Sequence, residues 1–301
     1  MREIVVLSGK GGAGKTSLSA AFAHLAEDAV VCDLDVDAPD LHILLDPKAE
    51  QTREFVSGNE ALIDQTLCTA CGQCLDICHF GAIKDDNGQM IIDPTRCEGC
   101  KSCVVLCPVQ AIEFPEKHCG EWWISDTRFG PMVHARLFPG EENSGKLVTL
   151  LKNQARDLAE QRHAELIIAD GAPGIGCPVI SSLARADLAV LVTEPTPSGL
   201  HDLQRVAKLC LHFRITCGVV INKYDLSTEY EDRIEAYCRE HGITVFGRLP
   251  HDPIFTQAMV QRKAVTEMVG QEADNTIGQD IRRIFERIVQ FHKPQTATSS
   301  V

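Results

Sequence analysis

Short, wholly apolar runs recur toward both ends of the chain, separated by stretches with helical spacing. Ile4-Val5-Val6-Leu7, Ala29-Val30-Val31-Cys32, Leu166-Ile167-Ile168-Ala169, Leu188-Ala189-Val190-Leu191-Val192, Val219-Val220-Ile221 and Val245-Phe246 each predict a strand buried on both faces. Leu18, Ala21, Phe22 and Leu25 share one helical face, and further helices are predicted over 147–162, 200–211 and 230–241. Buried strands alternating with helices make an α/β fold, a mostly parallel sheet covered by helices. A last stripe, Ile277, Ile281, Ile284, Phe285, Ile288 and Val289, predicts a terminal helix packed on the core. Its polar face mixes Asp280 and Glu286 with Arg282, Arg283 and Arg287, unlike the basic face of a membrane-surface helix. The polar tail beyond Pro294 is expected to fray.

Between residues 61 and 116 this alternation gives way to a duplication. Cys68, Cys71, Cys74 and Cys78 recur 29 residues later as Cys97, Cys100, Cys103 and Cys107. The same offset carries Asp64 onto Asp93, Thr66 onto Thr95, Ala82 onto Ala111 and Ile83 onto Ile112. The block holds eight acidic residues against three basic ones. The predicted organisation is therefore a small acidic domain, 61–116, inserted into a discontinuous α/β domain of 1–60 and 117–301.

Composition narrows the function classes. With 44% hydrophobic and 24% charged residues the chain is ordinary globular material, and its net charge of −13 argues against a nucleic-acid surface. No apolar run approaches the roughly 20 residues of a membrane span. The first residues enter a strand pattern directly, without a secretory signal, so a cytoplasmic location is expected. Fourteen cysteines in such a chain indicate metal or redox chemistry rather than disulfides. Cys32, Cys210, Cys217 and Cys238 lie in apolar-periodic stretches and are expected to be small buried hydrophobes. Cys119 and Cys177 stay open as ligands of a further cluster or metal. The connector 118–146, with His134, Arg136, Glu141 and Glu142, is either a docking or nucleotide-responsive loop or a plain link back to the sheet.

Gly9-Lys10-Gly11-Gly12-Ala13-Gly14-Lys15-Thr16 is the spacing of a phosphate-binding loop, placed between a predicted strand and a predicted helix. Glycines let backbone N–H groups converge on phosphate oxygens where the helix dipole already favours an anion. Gly11, Gly12, Ala13, Gly14, Lys15, Thr16 and Ser17 are the predicted cradle. Lys15 would neutralise the β- and γ-phosphates and the Thr16 hydroxyl would ligate Mg²⁺. With Lys10 inside the loop, the segment resembles the deviant signature of the MinD-like ATPases, which include the nitrogenase iron protein and the metal-insertion ATPases. That resemblance implies ATP/ADP with Mg²⁺, and a homodimer in which Lys10 reaches the partner subunit's nucleotide. It also implies roles for Asp35 as the carboxylate orienting attacking water, Asp33 as its support and Asp170 as a holder of Mg²⁺ through water. Asn222 matches an adenine-reading asparagine, and Pro250, in Leu249-Pro250-His251-Asp252-Pro253, matches a loop near the base.

Cys-x₂-Cys-x₂-Cys-x₃-Cys occurs twice, the second copy running into Pro108, and this spacing resembles the bacterial two-cluster ferredoxins. The resemblance implies one [4Fe-4S] cluster on Cys68, Cys71, Cys74 and Cys107 and a second on Cys97, Cys100, Cys103 and Cys78. Zinc is the competing ligand for Cys-x₂-Cys pairs. One departure is His79 where Pro108 stands in the second copy. As a whole the chain resembles a MinD-superfamily ATPase, a P-loop NTPase, with an inserted α+β ferredoxin domain. The function implied is nucleotide-gated electron transfer to or from a redox partner protein. The alternatives are an ATPase that carries or assembles iron–sulfur clusters or metal for an accepting protein, and a MinD-like spatial organiser.

Overall fold

In the computed structural model, the described residues are 1–26, 28–49, 51–141, 143–269 and 276–291, so Glu142 and the tail beyond Pro294 lie outside them. The chain divides into two compact units, the first of Met1–Thr52, Trp122–Arg136 and Ser144–Val301, the second of Arg53–Glu121 and Leu137–Asn143. In the first, the apolar runs are strands. In chain order the main elements are β1 (Arg2–Ser8), α1 (Lys15–Leu25), β2 (Ala29–Asp33), β3 (Glu116–Thr127), β4 (Gly130–Leu137) and α2 (Ser144–Arg162). There follow β5 (Leu166–Pro173), α3 (Cys177–Leu183), β6 (Leu188–Thr193), α4 (Pro197–His212), β7 (Cys217–Asn222), α5 (Thr228–Glu240), β8 (Thr244–Leu249) and α6 (Thr276–Gln290).

The sheet order is β8-β7-β6-β1-β5-β2-β4-β3, and the strands from β8 to β4 pair in parallel. β1, β2 and β6 are buried along nearly their whole length, which explains why their sequences carry no polar alternation. Leu18, Ala21 and Phe22 of α1 pack with Ile4, Val6 and Val190, and Ile277, Ile281, Ile284 and Ile288 of α6 join that core. Register places Asp170 of β5 opposite both Val6 of β1 and Asp33 of β2. The carboxyl ends of three adjacent parallel strands therefore meet, the place where open α/β sheets bind ligands.

Most of the connector is strand rather than loop, up to Leu137. β3 and β4 are long strands, and β4 extends the parallel sheet by pairing Met132 with Val31 and Val133 with Cys32. His134 belongs to this layer rather than to a docking surface. Its ring stacks on Trp123, its Nε2 lies 2.9 Å from the Ser125 hydroxyl, and burial, reinforced by His42, lowers its pKa to about 4.

The second unit is wider than the repeat, because the strand Arg53–Asn59 pairs with β3 and draws both flanks in. Leu62–Ile63 pairs with Ile112–Glu113, and Ile83–Asp86 forms a hairpin with Gln89–Ile92. Asn87 and Gly88 both have positive φ, as the two-residue turn requires. The duplication is visible in detail: Asp64 accepts hydrogen bonds from the Thr66 amide and hydroxyl, and Asp93 does the same for Thr95. Short helices, Gln73–Ile77 and Ser102–Leu106, follow the paired loops, over a core of Ala61, Cys74, Ile83, Met90 and Ile112.

Candidate functional site

The loop after β1 surrounds a cavity of about 420 Å³ lined by Gly11, Gly12, Gly14, Lys15, Thr16, Ser17, Asp35, Asn222 and Pro250. Gly14 caps α1 with φ +94, and a Cβ there would lie 2.3 Å from the Asn222 amide nitrogen. No other residue type fits that position. Asn222 donates to the Ala13 carbonyl at 2.9 Å and accepts from the Lys223 amide at 3.0 Å, so its side chain braces the loop it borders.

Lys15 is buried, with its Nζ 3.3 Å from Asp35 Oδ2 and 3.5 Å from Asp170 Oδ1. Burial alone would lower its pKa; the charges of Asp170, Asp35 and Asp33 outweigh it and hold the ammonium above its ordinary value. Burial, and then the neighbouring Asp170, push Asp33 well above the carboxylate range. Asp33 accepts from the amides of Asp35 at 3.1 Å and Leu41 at 3.3 Å, and so anchors the segment carrying Asp35. Burial raises Asp35 as well, opposed by Lys15. The Ser19 hydroxyl lies 2.8 Å from Asp170 Oδ1, whereas the buried Asp170 Oδ2 finds no hydrogen-bond partner among the described residues. An unsatisfied buried carboxylate oxygen beside a phosphate loop and the Thr16 hydroxyl is a donor set that suits Mg²⁺ with its waters.

Lys10 lies on Glu194, at 2.6 Å, and on the Ser198 hydroxyl at 3.0 Å. Lys223 contacts the same Glu194 at 3.2 Å and the Gly12 carbonyl at 3.1 Å. Burial would raise Glu194, but hydrogen bonds from Lys10 and Lys223 hold it below its ordinary value. Ser19, Lys223 and Glu194 were not singled out from the sequence. Glu194 carries the signal that marked Asp33 and Asp170, an acidic residue at the end of a buried strand; Ser19 and Lys223 become legible only through their partners.

Among the described residues no group of three or more His, Cys, Asp or Glu is arranged to hold a metal ion. The repeat cysteines are instead divided between two narrow cavities. Cys68, Cys71, Cys74 and Cys107 line one, with Ile63, Met90 and Ile112. Cys78, Cys97, Cys100 and Cys103 line the other, with Ile83, Ile92 and Phe114. Burial raises the Cys74 and Cys103 thiols, while a hydrogen bond with Ser102 lowers Cys100. Cys119 stands apart from both, buried, with its Sγ 3.0 Å from the Ser57 carbonyl, as a core residue does. Cys177 is exposed at the start of α3.

Comparisons with known proteins agree with the first unit's architecture. The uncharacterised protein MJ0578 of Methanocaldococcus jannaschii is 32% identical over 96% of this chain and 97% of its own length. The septum site-determining protein MinD of Pyrococcus horikoshii, solved with Mg-ADP, shares the fold at a TM-score of 0.57 and 16% identity, covering 96% of both chains. A ParA family ATPase from Chlorobium tepidum shares it at 0.53 and 15% identity, over 96% of this chain and 99% of its own. No helix among the described residues is long and apolar enough to cross a membrane. The model of the CobQ/CobB/MinD/ParA nucleotide binding domain matches residues 4–265, and the chain belongs to that P-loop family.

Proposed function

We propose that the chain is an ATP-hydrolysing iron–sulfur protein in which the nucleotide state of a homodimer governs electron transfer through two [4Fe-4S] clusters. The observation that carries this reading is the sorting of the cysteines. Each narrow cavity takes three thiols from one Cys-x₂-Cys-x₂-Cys loop and its fourth from the other copy of the repeat. Four thiols against an apolar wall are the ligand chemistry of a cubane cluster. When bound, such clusters supply one-electron transfer. In the nucleotide site, the loop amides and Lys15 would bind the β- and γ-phosphates, Thr16 would ligate Mg²⁺, and the free oxygen of Asp170 would hold that ion through water. Asp35 orients the attacking water, and Asn222 and Pro250 border the base. Lys10 leaves Glu194 for the partner subunit's nucleotide. Mixing Lys10→Ala with Asp35→Ala subunits tests that exchange, since one of the two sites in a mixed dimer then regains an intact set; absence of turnover refutes it.

The decisive experiment measures midpoint potentials by EPR on anaerobically purified protein without nucleotide, with ADP, and with ATP on the Asp35→Ala variant. A tenfold change in ATP affinity on reduction corresponds to about 59 mV for one electron, by linkage. About eight iron and eight sulfide per chain are expected. Zinc as the main metal, or potentials and ATP affinities indifferent to one another, would refute the coupled reading.

A further inference from the structure

Outside the repeat, four cysteines sit in the apolar stretches of the first unit. Cys32, Cys210 and Cys238 are buried there as small hydrophobes, whereas Cys217 is half-buried. Local backbone brings Cys210 and Cys217 together. α4 ends in a Schellman turn: Arg214 takes φ +58, its amide donates to the Leu211 carbonyl at 3.1 Å, and the Ile215 amide donates to the Cys210 carbonyl at 2.9 Å. The reversed chain enters β7 at Cys217. Pairing of Cys217 with Ala189 of β6, and the Ala189 amide on the Thr216 carbonyl at 2.9 Å, fix where that strand begins. A thiol on the last turn of the helix therefore meets one on the first residue of the strand, and the Cys210 thiol donates a hydrogen bond to the Cys217 sulfur.

That bond makes the two thiols chemically unlike. It holds Cys217 below the ordinary thiol range, against burial, and holds Cys210 above it, with burial adding to the rise. The more accessible sulfur is thus the one that ionises first, and the buried sulfur stands behind it. An accessible thiolate beside a resolving thiol is the arrangement of redox-active cysteine pairs. We propose that Cys210 and Cys217 are a redox-active dithiol that takes a low-molecular-weight disulfide as its co-reactant, with Cys217 the attacking and Cys210 the resolving sulfur. The Cys217 thiolate attacks one sulfur of the small disulfide, whose S–S bond breaks as the mixed disulfide forms. One small thiol leaves and takes up the proton that Cys217 lost. Cys210 then gives up its proton, attacks the Cys217 sulfur and expels the second small thiol, which takes that proton. Two protein thiols are oxidised by two electrons, and one small disulfide is reduced to two thiols. The site belongs to the first unit alone and needs neither nucleotide nor the cysteines of the repeat.

Glutathione disulfide is the probe. The full-length protein, purified anaerobically, is incubated with it, quenched with acid, alkylated and digested with trypsin. Cleavage after Lys208, Arg214 and Lys223 puts the two cysteines on separate peptides, 209–214 and 215–223. Mass spectrometry of the wild type is expected to show these peptides joined by a bond that dithiothreitol reverses. Cys210→Ala is expected to stop at the mixed disulfide on Cys217, and Cys217→Ala to lose glutathione transfer to Cys210. Peptides that stay separate and reduced, while the exposed Cys177 takes up glutathione, overturn the dithiol. Joining of 215–223 to 234–239 also overturns it, since Cys238 would then be the resolving sulfur. Glutathione on Cys210 in Cys217→Ala at the wild-type rate overturns the assigned roles. The wild-type result does not depend on how either variant folds.

Discussion

The nucleotide site and the thiol cavities are held together in different ways. Around Lys15, three carboxylates, the Ser19 hydroxyl and the loop backbone are already joined by buried contacts, and the strands that carry them are fixed by a continuous core. Around the thiols there is a core of five small and medium side chains, with short strands and five-residue helices. A site assembled by its own protein contacts keeps its shape whatever binds. If the thiol cavities hold the clusters proposed above, a site whose ligands sit on short loops over a small core would depend on them for its order, as small metal domains do.

The largest effect should come from attacking that dependence. Iron chelation under reducing conditions is expected to lower amide protection across 83–92 by about a thousandfold or more, leaving β1 and β5 nearly unchanged. Hydrogen exchange by mass spectrometry measures both at once, and equal loss in the two units would erase the contrast. Next comes Lys15→Ala. It removes the cation from beneath Asp33, Asp35 and Asp170, and ATP affinity is expected to fall by about a hundredfold or more, with thiol content unchanged. Calorimetry gives the affinity, and retained binding would mean that the loop backbone alone suffices.

The smallest effect concerns acid and the first unit alone. His134 has a folded pKa of about 4 against an ordinary 6.5, so between those values the unfolded chain binds a proton that the folded chain does not. Its contribution is intact above pH 6.5 and is lost as pH falls toward 4, by up to about 1.4 kcal/mol per unit. Denaturant titrations of wild type and His134→Gln at pH 7 and pH 5 should converge in slope against pH if other groups cause the acid loss. A steeper loss in wild type is expected.

What was legible in the sequence follows the same division. The central strands could be read because burial on both faces removes every polar residue, and the phosphate loop because its glycines serve a local backbone geometry. Asp33, Asp35 and Asp170 could be placed together because parallel strands bring their carboxyl ends to one side. β3 and β4 were hidden, since sequences such as Trp122-Trp123-Ile124-Ser125 and Met132-Val133-His134-Ala135 mix polar and apolar residues within strands at the margin of the sheet. The outer boundary of the second unit was hidden for a related reason: pairing of Arg53–Asn59 with β3 joins residues far apart in the chain. Cysteine spacing announced the quartets, but not the apolar walls that Ile63, Met90 and Ile112 give one cavity and Ile83, Ile92 and Phe114 the other.

Glu194 stands between two ammonium groups, Lys10 and Lys223. Were Lys10 its single partner, swinging that lysine away would strand a carboxylate in a half-buried place. With Lys223 remaining, the carboxylate keeps a neutralising neighbour, and that neighbour also grips the Gly12 carbonyl. One arm of the loop can therefore be released while another stays fastened, like a gate with its hinge separate from its latch.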